Sequence, residues 1–366
     1  MRRPGWGCGG DAPLLSSRRS AGDNAAHPEA RLRNALRLTL GIGVSAACLW
    51  LATRGTDWAA VGRILAGAEL GWLGVGVGIG VTALWLRARR WLLLLAPLGR
   101  VAIGPAFSAT AIGFMASAVL PLRLGEFVRP ALLARRTGLG FAPTLSSVVL
   151  ERLFDMMLVL FCFLALSLVY PLPEWMARLA LLAGMGAAGV LVALVLVQAF
   201  RNRVERLVDA LLARLPDGPS RRLRPLALEV LGALGSLGSV RSVVAILAMS
   251  ALVWAANGCS FLICLLALGI DAPLLPAALA SLVVVAAAVF LPQGPGFVGT
   301  WQYGCVLALG LFHVSEDVAV GYSLLTWVLQ MSINVGLGAV CLARENLSLR
   351  ELAAQQPGEP GLERAP

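Results

Sequence analysis

The chain has 366 residues, 58% of them hydrophobic and 14% charged, with a mean hydropathy of +0.80. Soluble domains carry about 25% charged residues, so this composition excludes a soluble globular protein and points to an integral membrane one. The net charge of +10 comes from Arg alone among the basic residues. These Arg flank apolar runs, which is the positive-inside pattern and not a nucleic-acid-binding surface.

Residues 1–30 are rich in Gly, Ala, Arg and Ser and lack an apolar core. They are expected to be a disordered cytoplasmic tail, not a signal peptide. Residues 31–345 are expected to form one transmembrane domain, and 346–366 a second disordered cytoplasmic tail. Full spans are predicted at Leu36–Ala52, Leu70–Leu86, Ser147–Val169, Leu179–Phe200, Val243–Gly269 and Val318–Ala343. About 20 apolar residues cross a bilayer as a helix. Trp50, Trp72, Trp85, Trp91, Trp175 and Trp254 lie mostly near span ends, where interfacial anchoring is expected.

Two further hydrophobic segments, about 103–134 and 273–312, are interrupted in the same way. The first reads Leu120-Pro121-Leu122-Arg123-Leu124-Gly125-Glu126-Phe127-Val128, and the second Leu291-Pro292-Gln293-Gly294-Pro295-Gly296-Phe297-Val298. Pro121, Gly125, Pro292, Gly294, Pro295 and Gly296 are the expected backbone breaks. Paired breaks in corresponding halves point to a transport site. Each is read as a re-entrant hairpin, tolerated at membrane depth only beside protein or a water-filled cavity.

Arg placement supports this topology. Arg31, Arg33, Arg37, Arg87, Arg89, Arg90, Arg100, Arg135, Arg136, the Arg residues of the central loop 201–240, Arg241, Arg344 and Arg350 fall on one side if both segments are hairpins. The loops opposite carry only Arg54 and Arg63. Both termini are then cytoplasmic, and the two hairpins enter from opposite faces as an inverted repeat. The fold class is therefore all-α: a polytopic bundle of about six spans plus two re-entrant hairpins. In the central loop, Val204, Leu207, Val208, Leu211, Leu212 and Leu215 form one apolar stripe, the pattern of a helix lying on the membrane surface.

Candidate binding residues gather at the first break. Arg123, Glu126 and Arg129 lie three apart on one side if Pro121 starts a half-helix. A charge at bilayer depth costs about 3 kcal/mol or more, so these three must be paired, hydrated or facing a cavity. Arg forks suit phosphate, which makes Arg123 and Arg129 candidates for a lipid phosphate, with Glu126 orienting them or meeting a cation or proton. An internal Arg–Glu–Arg cluster is the alternative. At the next span, Glu151 and Asp155 share a face and Arg152 pairs with Asp155. Cavity lining, proton coupling and a solvated helix entrance are all open there. Gln293 and Gln302 supply polarity to the second, uncharged break. Gln330, Ser332 and Asn334 are read as partners in hydrogen bonds between helices. Cysteine and histidine spacing suggests no metal site, no nucleotide-binding motif is visible, and no cofactor is expected.

Taken in order, Arg89-Arg90-Trp91, Gly113, the Leu-Pro-x-Arg-x-Gly-Glu element at 120–126, Arg129, Glu151-Arg152 with Asp155, and Leu291–Gly296 resemble the transmembrane region of lysylphosphatidylglycerol synthases and its stand-alone flippase-like relatives. The resemblance spans about 35–345 and implies a lipid-flippase module with re-entrant helices. Two departures matter. Ala116-Ser117-Ala118 stands where that family often has Asn. Only about 20 residues follow Ala343, so the soluble synthase activity is expected to be absent. The leading expectation is a non-enzymatic translocator of an anionic phospholipid or lipid-linked glycan in the inner membrane. A membrane-embedded lipid-modifying transferase is the rival. A non-catalytic accessory subunit beside a neighbouring glycosyltransferase or synthase, including one for hopanoids, is a third possibility.

Overall fold

A computed structural model describes residues 28–120, 124–200, 202–204, 206–207, 237, 239–289 and 293–345, with side chains from residue 39. The tails, Pro121, Arg123, Pro292 and most of the expected surface helix in the central loop lie outside the described residues. What is described is helical, without strands. The helices are α1 (Pro28–Thr53), α2 (Trp58–Ala66), α3 (Leu70–Leu95), α4 (Ile103–Val119), α5 (Gly125–Thr137), α6 (Phe141–Val169), α7 (Glu174–Ala199), α8 (Val240–Ala267), α9 (Leu274–Val289), α10 (Thr300–Gly310) and α11 (Glu316–Arg344). The protein is an all-α polytopic membrane bundle. Among the described residues, α3, α6, α7, α8 and α11 are long and apolar enough to cross a bilayer, while the described apolar part of α1, Thr39–Thr53, is shorter.

Three sequence expectations need correction. The loop opposite the Arg-rich side contains a helix, α2, whose Asp57 cap accepts from the Ala59 N–H at 2.9 Å. The second span does not end at Leu86: α3 runs on to Leu95 and carries Arg87, Arg89 and Arg90 within it. Arg90 and Trp91 are fully buried, so neither serves as a loop charge or an interfacial anchor. A hydropathy window ends at the first Arg pair because it cannot see buried partners.

Both interrupted segments fold back on themselves. In the first, α4 and α5 run antiparallel. A Cβ on Gly113 would meet the Arg129 Cβ at 2.7 Å, and one on Gly125 would strike the Gly113 carbonyl and Ser117. The half-helix begins at Gly125, not at Pro121. Gly125 serves close approach here, as small residues do between membrane helices. In the second segment α9 packs against α10, with Gly304 on Val285. The break between them is a short 3₁₀ turn, Pro295–Phe297, with Gly296 at φ +71° and Gly299 at φ +87°, a region open to Gly at little cost.

The second break is held by its neighbours. The Gly294 N–H donates to Ser45 Oγ of α1 at 2.8 Å. Trp327 Nε1 of α11 donates to the Gly296 carbonyl at 2.7 Å. A Cβ on Gly296 would lie 3.7 Å from the Ala118 carbonyl at the end of α4, so the two breaks touch. Trp327→Phe removes one hydrogen bond to this loop. Thermal unfolding in detergent should show a loss of about 1 kcal/mol.

Candidate functional site

Four Arg and three acids converge where α3, α5 and α6 meet. Glu151 and Asp155 lie one helical turn apart on α6, so both carboxylates face the same neighbours. Arg90 of α3 meets them as a fork. Its Nη1 donates to Asp155 Oδ1 at 2.6 Å and its Nη2 to Oδ2 at 3.2 Å, while Nη2 also lies 2.9 Å from Glu151 Oε1. Ser250 Oγ accepts from Arg90 Nη1 at 3.1 Å and Trp254 Nε1 donates to Asp155 Oδ1 at 3.0 Å. Arg129 of α5 donates Nη1 to both Glu151 oxygens, at 3.0 and 2.9 Å. Its guanidinium sits 3.9 Å from the Trp91 ring centre, a cation–π contact. Trp91 is fixed in turn by donating Nε1 to Ser147 Oγ at 2.9 Å.

Arg152 forms the outer layer. It lies 3.5 Å from Asp155, 3.7 Å from Glu151 and 3.8 Å from Glu126. Glu126 therefore faces Arg152, while Arg129 turns to Glu151. An Arg–Glu–Arg cluster within the first break is the alternative reading of the sequence; for Glu126 and Arg129 the structure shows instead a network that joins three helices. Arg123 lies outside the described residues.

A cavity of about 180 Å³ opens beside this network. Glu126, Arg129, Arg152 and Asp155 give it a charged wall, and Phe114, Trp254, Phe297 and Trp301 an aromatic one. Phe297 belongs to the second break and has a φ of +60°, uncommon for a residue with a side chain. Each broken segment thus contributes to the wall. Arg129 is buried, yet its Nε and Nη2 have no hydrogen-bond partner among the described residues. A buried guanidinium with two unpartnered donors, on a residue that lines a cavity, suits an anion.

Gln293 and Gln302 lie elsewhere. Gln293 donates to the Val289 carbonyl at 2.6 Å and accepts from Thr300 Oγ1, while Gln302 Oε1 accepts from the Gly299 N–H at 2.7 Å. Both amides close the second break and neither lines the cavity. Gln330 and Asn334 bond each other along α11 at 3.2 Å and face the cavity, and Ser332 is exposed.

Sequence reasoning missed Arg87, Arg90 and Trp254 as site residues. Arg87 lines the cavity, 5.0 Å from the Phe114 ring, and donates to Asn257 Oδ1 at 3.4 Å. One signal was available. Arg87 and Arg90 are three apart on α3 and the acids Glu151 and Asp155 four apart on α6, so each set shares a helix face and the two opposite charges could have been paired. No group of His, Cys, Asp and Glu that could hold a metal occurs among the described residues.

A family model, the lysylphosphatidylglycerol synthase TM region, matches residues 38–338. The chain belongs to this family. The match takes in both broken segments, the whole ion network and every cavity-lining residue named above, so the candidate site lies inside the lysylphosphatidylglycerol synthase transmembrane region itself. A comparison with curated proteins finds no match. As a member of the lysylphosphatidylglycerol synthase transmembrane-region family, the chain is a multi-pass membrane protein of lipid-related processes.

Proposed function

We propose that this protein translocates a lipid with an anionic, phosphate-bearing headgroup, a phospholipid or a lipid-linked sugar, across the inner membrane. The observation that carries the reading is the buried Arg129 guanidinium, unpartnered at Nε and Nη2 among the described residues, beside a cavity bordered by both broken segments. The network beside it holds four Arg, at positions 87, 90, 129 and 152, against the acids Glu126, Glu151 and Asp155. One formal positive charge is left over, which a phosphodiester would balance. Glu126, paired with Arg152 at the partly exposed rim, tunes the approach or carries a coupling proton. The two hairpins are read as re-entrant segments of an inverted repeat with both termini cytoplasmic, and movement of one repeat against the other gives alternating access.

Translocation of headgroup-labelled phosphatidylglycerol in vesicles containing the full chain tests this reading. Arg129→Lys keeps a charge for Glu151 but removes the fork. The rate should fall about tenfold, the effect of one lost charge-assisted hydrogen bond. Glu126→Gln and Arg123→Ala are measured alongside. Full activity in all three, with the elution profile of the native protein, removes the first break from the mechanism. A lipid product of altered mass would point instead to a membrane-embedded transferase.

A further inference from the structure

The cavity continues into a second chamber of about 130 Å³ between α8, α9, α10 and α11. Arg87, Asn257, Trp301 and Gln330 border both chambers. Beyond them the wall turns apolar, with Phe261, Cys264, Leu282, Val285, Leu329 and Ile333.

The polar groups along this wall are already engaged. Ser260 Oγ donates to the Ala256 carbonyl at 3.1 Å. Thr326 Oγ1 donates to the Ser323 carbonyl at 3.0 Å and accepts from Trp301 Nε1 at 3.1 Å. Asn257 donates to the Val253 carbonyl at 2.7 Å and accepts from Arg87. Gln330 donates to Asn334. A sugar or a chain of water molecules would find few free partners. Apolar cavities of about 150 Å³ stay dry and accept small hydrocarbons. Arg87 marks the junction. Among the described residues it has no carboxylate within ion-pair distance, and it lines both chambers.

We infer that the second chamber takes one hydrocarbon chain of the transported lipid, whose phosphate lies between Arg129 and Arg87. This rests on the translocator reading and sharpens it. The substrate is an amphiphile with a slender chain that enters the bundle, instead of leaving its whole tail in the bilayer. Affinity should rise about fourfold for each methylene buried, until the chamber is full.

The test uses the full chain in phosphatidylcholine nanodiscs and an alkyl phosphoglycerol bearing a diazirine at its chain end. After illumination, adducts are mapped by mass spectrometry. Adducts on Phe261, Cys264, Leu282 or Ile333 support the inference. Adducts confined to outward-facing residues such as Val244 and Leu252, which are more than half exposed, or no adducts at all, overturn it. Ala286→Phe, at the junction, should cut chamber adducts at least about fivefold and leave the outer ones unchanged; equal labelling inside overturns the inference as well. Vesicle translocation is read separately. Chamber adducts without translocation would retain the chain site and remove the transport reading; translocation with outer adducts alone would do the reverse.

Discussion

Glu151→Ala should destabilise the protein by about 3–5 kcal/mol, the cost of breaking a buried ion pair by removing one partner. Glu151 is the hinge of the network. Its carboxylate meets Arg90 at 2.9 Å and Arg129 at 2.9 Å, and all three side chains are shielded from solvent. Its removal leaves Arg90 with Asp155 alone and the buried Arg129 without any carboxylate partner among the described residues. Glu151→Gln separates charge from volume, because it preserves the shape and one acceptor. It should be nearly as damaging as Glu151→Ala. Fluorescence-detected size exclusion after a heating series reads both. A Gln variant that melts with the native protein would show that the network is held by packing and not by charge. Arg152→Ala gives the scale: its contacts lie at 3.5–3.8 Å on a partly exposed rim, so about 1 kcal/mol or less is expected.

Gly125→Val should open the first hairpin, with a loss of about 3 kcal/mol and no translocation. Overpacking a tight contact costs typically about 1–3 kcal/mol, more where backbone must move. A Cβ at Gly125 would collide with the Gly113 carbonyl and the Ser117 amide, which cannot rotate away as a side chain can. α5 carries Arg129, so the shift would also draw its guanidinium off Glu151. Gly78→Ala on α3 is the control, because nothing lies within 4 Å of its added methyl and Ala favours helix over Gly by about 1 kcal/mol. It should melt at or above the native temperature. If Gly125→Val behaves the same way, the two arms of the hairpin are not in register as described.

The broad architecture was legible because hydropathy is local. The long apolar runs, the two Pro-Gly interruptions and the Glu151–Asp155 face all follow from residues near one another in the chain. Partner choice was not legible. Arg129 looked like a partner for Glu126, three residues away, yet it bonds Glu151 of the next helix; Glu126 faces Arg152. Arg90 was hidden for a related reason. Arg after an apolar run normally marks the membrane edge, and only the acids on α6, far along the chain, show that this one is inside. Trp254 carried the same bias, an interfacial residue by position and a donor to Asp155 in the fold. Gln293 and Gln302 illustrate the reverse case. Their polarity was visible, but only the turn geometry at Gly296 and Gly299 shows that it serves the backbone.

That turn has a further consequence, one of hydration. Gly294 gives its N–H to Ser45, Gly296 receives Trp327, and Gly299 gives its N–H to Gln302. These exposed ends of an unwound backbone are met by protein, so this loop needs no solvent to persist in an apolar medium. At the first break the open Arg129 donors and the Glu126–Arg152 rim call for water or an anion. The two breaks thus differ in what they need although they share one cavity wall: the second is satisfied by its own neighbours, while the first brings charge to that wall, and they adjoin where Gly296 approaches the end of α4.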